Sequence, residues 1–254
     1  MIESKILILL FYYDRPNLVK IALNSVQRQN YTNWEIAFID DGSQIPGEPI
    51  AKNILSTHLD KIKFYNTNDT IQSKIERNGE EGSVFGMYAQ QAVMESDADY
   101  VVMLCDDDAL YPEYFNNLNK YFSLHETEQY VYSHIHAYDP LLTKIEDNPP
   151  YTHHHLNKTE ELNPYFNIDM SQIAWRRQAQ LKNNIKFAYT MTSNLDSLLY
   201  ANMHSIFGSC KFSGFFSEYK AIGQGAYGDQ LSHRMGKRLA GMNTPEDIYK
   251  ITVQ

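Results

Sequence analysis

Three consecutive carboxylates, Asp106-Asp107-Asp108, are the residues of this chain whose chemistry most needs an explanation. Adjacent carboxylates repel one another and are costly unless solvent or a cation relieves them. With oxygen ligands alone, the favoured ion is a hard one, Mg²⁺ or Mn²⁺, bound together with substrate phosphates. The competing reading is a solvated acidic turn in front of a helix starting at Pro112, where negative charge is favoured. Two other short stretches carry comparable chemistry. Asp40-Asp41-Gly42-Ser43 is a turn with two acids, and Phe11-Tyr12-Tyr13-Asp14 offers aromatic faces suited to stacking on a base or sugar ring.

Each of these stretches follows an apolar run. Residues 6–11 (Ile-Leu-Ile-Leu-Leu-Phe), 34–39 and 100–104 read as strands covered on both faces. Helical stripes lie between them: Leu18, Ala22 and Val26; residues 49–59; and Phe85, Tyr88, Ala89, Ala92 and Val93. Residues 62–65 form a further short strand. Pro112 suits the first turn of a helix with the face Phe115, Leu118 and Phe122. Strands alternating with helices predict right-handed crossovers and a largely parallel sheet in an α/β fold. In such sheets ligands bind beyond the carboxyl ends of the strands. The three chemically loaded stretches all lie at such ends, which favours a shared pocket over an isolated acidic turn.

The remainder is less patterned. Residues 130–137 read as a strand, and 67–82 and 139–163 as irregular loops. The second loop holds Pro149-Pro150 and His153-His154-His155, three adjacent imidazoles that cannot easily face one ion. At 254 residues the chain fits one α/β domain over 1–215, clearly patterned to about 125 and less so over about 126–215, with an extension over 216–254 packed on the same domain. The formal charge of −9 disfavours nucleic acid and anionic membranes as partners, though not a nucleotide whose phosphates are met by a metal. Two cysteines, Cys105 and Cys210, are too few for a disulfide framework or a zinc site, which suits a cytoplasmic setting. The N-terminal apolar run is too short to span a bilayer.

The chain resembles a family 2 glycosyltransferase of the GT-A fold, a Rossmann-like α/β/α sandwich that uses nucleotide-diphospho-sugar donors. One block carrying the resemblance runs Ala22-Leu23-Asn24-Ser25-Val26 through Gln29, Tyr31 and Trp34-Glu35-Ile36 to Ile39-Asp40-Asp41-Gly42-Ser43. Another runs Ala89-Gln90-Gln91-Ala92-Val93 through Asp97-Ala98-Asp99-Tyr100 to Asp106-Asp107-Asp108, Tyr111 and Pro112. A weaker one runs Ile168-Asp169-Met170-Ser171-Gln172-Ile173 to Arg176.

The resemblance implies roles for particular residues. Asp41 would hydrogen-bond the base, most often uracil. Phe11 and Tyr13 would form the base pocket, and Arg77 would contact base or diphosphate. The family's acidic motif commonly starts one residue earlier, where this chain has Cys105. Counting back from Pro112 assigns Asp106 to the ribose and Asp107 to Mn²⁺ or Mg²⁺, with Asp108 as a further ligand and His233 as a distant contributor to the metal or diphosphate. Asp196 would be the base, with Asp169 and Asp229 as rivals. The implied activity is inverting transfer of a sugar, from a UDP-type donor, to a saccharide or other hydroxyl acceptor. A nucleotidyltransferase would instead carry a glycine-rich basic loop after the first strand, and Phe11-Tyr12-Tyr13-Asp14-Arg15-Pro16 has no glycine. A non-catalytic nucleotide- or sugar-binding module would lack the base.

Overall fold

The computed structural model describes residues 3–68, 84–139, 144–146, 160–164, 168–187 and 195–221. Its centre is β1 (Ile6–Tyr12), seven residues that are all buried. β1 pairs in parallel with β2 (Trp34–Asp40) on one side and β4 (Tyr100–Cys105) on the other, and β3 (Ile62–Asn66) extends β2 in parallel. A strand with a neighbour along each edge and cover on both faces has no polar side to present, which explains the unbroken apolar run.

Side chains alternate across the sheet as the pleat requires. Leu7, Leu9 and Phe11 enter one core, with Ala89, Ala92 and Val93 of α3 (Val84–Glu95) and Leu199, Tyr200 and Met203 of α6 (Leu195–Phe207). Ile6, Ile8, Leu10 and Tyr12 enter the other. There they meet Val19, Ala22 and Val26 of α1 (Leu18–Gln27), Ala51 of α2 (Gly47–Ile54), and Phe115, Leu118 and Phe122 of α4 (Tyr114–Leu124). Two cores around one sheet make the expected α/β/α sandwich, with parallel ladders as its longest pairings.

The second half is woven into the same sheet. Beyond β4 the order continues with β8 (Ile173–Arg176), β6 (Tyr130–Asp139), β9 (Lys211–Ala221) and β5 (Ala109–Leu110), with β7 (Lys144–Glu146) paired to the end of β6. β8 is antiparallel to both β4 and β6, whereas β9 runs parallel to β6 and antiparallel to β5. α5 (Arg177–Lys182) follows β8 directly.

Several sequence expectations are corrected here. The stretch 139–163, read as loop, contains β7. Pro112 does not lie in the first turn of α4 but precedes its N-cap, Glu113, so it stiffens the approach to the helix rather than starting it. The segment read as helical over 49–59 begins earlier and ends at Ile54, and Leu59–Lys61 forms a separate 3-10 turn.

Candidate active site

The loops at the carboxyl ends of β1 and β2 are tied to each other. Asp41 donates its backbone N–H to the Tyr12 carbonyl at 3.0 Å, and the Tyr12 hydroxyl donates to the Ile45 carbonyl at 2.8 Å. Asp14 donates its N–H to Ser43 Oγ at 3.1 Å and accepts from the Ile45 N–H at 2.9 Å. Asp14 holds a left-handed backbone with φ 46°, a conformation Asp tolerates better than most residues. Asp40, 4% exposed, accepts the N–H groups of Ser43 and Gly47 at 2.9 Å each, so it holds the turn together and does not face a ligand. Gly42, at φ 70°, lets that turn close. Asp41 is half-buried.

The acidic triplet leaves β4 beside this rim. Asp106 accepts the Tyr13 N–H at 2.9 Å and Arg15 Nη1 at 3.1 Å, one bond on each oxygen. The same Nη1 lies 2.9 Å from Asp107 Oδ2. Arg15 is therefore shared by the two carboxylates expected to take the ribose and the metal. Burial and the charge of Asp107 raise the Asp106 pKa, and Arg15 opposes them. Burial acts against the Arg15 charge, but the two carboxylates outweigh it and raise the guanidinium's pKa.

Asp108 turns inward. It is fully buried, and its Oδ2 lies 2.8 Å from Lys220 Nζ, which also reaches Asp169 Oδ1 at 3.1 Å. Ser171 donates to Glu218 and lies 3.1 Å from Asp169 Oδ1. Burial, helped by Asp108, pushes the Glu218 carboxyl well above the usual range, and its Oε2 has no hydrogen-bond partner among the described residues. Burial alone would also raise Asp169, but the charge and hydrogen bond of Lys220, with the bonds from Ser171, hold it below its ordinary value. A carboxylate so stabilised in its charged form is a weak proton acceptor. Asp169 is thus placed as an ion-pair partner of Lys220 and as the cap of the 3-10 turn Met170–Gln172, which it closes with a capping box.

Among the described residues, two groups of side chains bring ligand atoms within 4.8 Å of one another: Cys105, Asp107 and Asp108, and Asp108, Asp169 and Glu218. The first includes two expected metal ligands, of which Asp107 already attracts the Arg15 cation at 2.9 Å while Asp108 is buried against Lys220. It fits a divalent ion. In the second, the ammonium of Lys220 already lies between two of the acids.

The remaining expected residues are distributed unevenly. Phe11 is 7% exposed and meets Phe85 of α3 edge-on at 5.2 Å, so its ring belongs to the core beneath the pocket. Tyr13 is half-buried next to Asp106. Asp196 is the second residue of α6, and its side chain lies outside the described ones. Arg77, Asp229, His233 and His153-His154-His155 also lie outside the described residues. Sequence reasoning missed Arg15, Glu218 and Lys220. For Glu218 and Lys220 a signal existed, two charges at i and i+2 in an otherwise aromatic strand, which must share one face. A lone arginine after a strand carries no such signal.

The sequence model described as Glycosyl transferase family 2 matches residues 7–177. Protein CgeD of Bacillus subtilis (strain 168) is 26% identical over 130 residues, which are 51% of this chain and 29% of that protein. Among solved structures, S. aureus TarS 1-349 in complex with UDP superposes with a TM-score of 0.64 at 14% identity, over 92% of this chain and 65% of that one. Mannosyltransferase PcManGT from Pyrobaculum calidifontis, in complex with GDP-Man and Mn2+, gives 0.59 at 13% identity, over 89% and 59%. At these identities the likeness is one of fold, and the chain spans less than two thirds of each of these proteins. No helix among the described residues is long and apolar enough to cross a membrane.

Proposed function

The chain belongs to glycosyl transferase family 2, and on that premise we propose that it transfers a sugar from a nucleoside-diphosphate donor, a UDP-sugar, to a hydroxyl acceptor with inversion. The observation that carries this reading is the convergence of Tyr13, Asp41, Asp106 and Asp107 at the carboxyl ends of β1, β2 and β4, with two carboxylates gathered round one cation. Solved relatives of the same fold hold UDP, and in one case GDP-Man with Mn2+. Asp41 and Tyr13 would take the base, Asp106 the ribose, and Asp107 with Asp108 a Mg²⁺ or Mn²⁺ ion. Such an ion stabilises negative charge developing on a leaving diphosphate.

In the transfer itself the acceptor oxygen attacks the anomeric carbon as the bond to the diphosphate breaks. The hydroxyl proton passes to a carboxylate, a contribution of about 10²–10⁴-fold. Asp196, in the first turn of α6, is assigned that role. Asp169 is the weaker candidate, because Lys220 already holds it ionised and occupied. The acceptor would be a saccharide or another hydroxyl compound.

A thermal-shift screen of nucleoside diphosphates and nucleotide sugars, with and without Mn²⁺, tests the donor. Stabilisation follows mass action, so the true donor should raise the midpoint in a concentration-dependent way only when Mn²⁺ is present. No response to any nucleotide would overturn the reading. With the donor known, Asp196→Asn should bind it unchanged and transfer at least about 100-fold more slowly. Transfer at the native rate would move the base elsewhere.

A further inference from the structure

The guanidinium of Arg15 sits where the two carboxylates needed for the donor are both covered. Its Nη1 lies 3.1 Å from Asp106 Oδ1 and 2.9 Å from Asp107 Oδ2. The other Asp106 oxygen is held by the Tyr13 N–H. Neither carboxylate side chain is much exposed, at 5% and 11%, while that of Arg15 is 23% exposed. A divalent ion on Asp107 and a guanidinium at 2.9 Å from the same carboxylate repel one another strongly in so enclosed a place. The contacts of Arg15 with the acids and the binding of the ion are therefore in competition.

We propose that Arg15 is a displaceable internal cation: it neutralises Asp106 and Asp107 in the empty site and moves onto the donor's diphosphate when nucleotide and metal arrive together. The exchange is balanced in charge. Two carboxylates lose one shared cation and gain a divalent ion, while the guanidinium gains a diphosphate, whose oxygens suit its planar donors. Movement needs only the side chain. The Arg15 carbonyl stays engaged, accepting the Val19 N–H at 3.0 Å at the start of α1. Because one guanidinium covers both acids, its departure frees the ribose contact and the metal ligand in one event. Metal without nucleotide offers Arg15 no new partner and binds weakly, whereas the metal–nucleotide pair does. Arg15 thus makes binding of the two ligands mutually dependent, a coupling of the reciprocal kind.

The inference rests on the nucleotide-sugar reading of the same site, and one set of titrations separates the two. Mn²⁺ is titrated calorimetrically into wild type, Arg15→Gln and Arg15→Lys, alone and with saturating UDP, after thermal melts show each variant folded. The expected result is that Arg15→Gln binds Mn²⁺ alone about tenfold more tightly than wild type, and that UDP improves its Mn²⁺ affinity by a factor at least about tenfold smaller. Arg15→Lys keeps a cation that bridges the two acids less well and should fall between. It also serves alone if the glutamine variant does not fold. Unchanged or weaker Mn²⁺ binding by the folded variants, with UDP coupling as in wild type, overturns the Arg15 role while leaving the donor site standing. If wild type binds neither Mn²⁺ nor UDP, both readings fall.

Discussion

Asp106 and Asp107 share a guanidinium yet differ in how they are held. Asp106 has both oxygens engaged and is anchored to the backbone of Tyr13, whereas Asp107 meets Arg15 at the more open edge. Asp107 can therefore present an oxygen to an ion without disturbing the end of β1. Asp107→Asn keeps the shape and removes the charge. Calorimetry of UDP in the presence of Mn²⁺ should show affinity reduced by at least about 100-fold, since even the outer partners of metal ligands are worth about 10–100-fold. Thermal stability without ligand should stay close to wild type, and undiminished Mn²⁺-dependent binding would remove Asp107 from the metal site. At this scale the sequence was informative where chemistry is contiguous. Three acids in a row after an apolar run, and an aromatic pair after another, could be read directly. Arg15, Glu218 and Lys220 take their meaning from partners 47 to 112 positions away.

The β1–β2 pair shows how an element aims such residues. Asp40 closes its turn through the N–H of Gly47, and Gly47 packs where a side chain cannot go: an added Cβ would lie 2.5 Å from Phe38 Cζ and 2.6 Å from Tyr12 Cδ1. Both rings are fully buried, so neither can move without repacking a core. Gly47→Ala should cost roughly 1–3 kcal/mol by overpacking, seen as a lower urea midpoint with an unchanged slope. An unaltered midpoint would show that the rings yield freely. Elements of this kind were legible because burial on both faces writes an unbroken apolar run. β8 and β9 were not. β8 has four residues, and β9 is interrupted by Gly214 at φ 86° while its ladder with β6 shifts register near His134. A strand whose register slips loses the two-residue period by which it would be recognised.

Across the whole molecule, the triplet is where distant segments are fastened together. Lys220, contributed by β9, pairs with Asp108 after β4 and with Asp169 before β8, and its side chain is only 14% exposed. Removing one partner of a buried pair leaves the others uncompensated, so Lys220→Met should lose about 3–5 kcal/mol of unfolding free energy in chemical denaturation. A loss below about 1 kcal/mol would mean that the acids find relief by protonation or by water. Arg177 adds a second fastening, donating to the Val93 carbonyl at the end of α3 at 2.6 Å. β4 has β8 as its outer neighbour, and β5, which starts directly after the triplet, has β9. An engineer wishing to graft a new acceptor specificity onto this chain cannot splice near residue 125. Such a cut would strip partners from two strand edges and separate Asp108 from Lys220, so a workable chimera must keep β6, β8, α6 and β9 with the segment before residue 125 and exchange only the connecting loops.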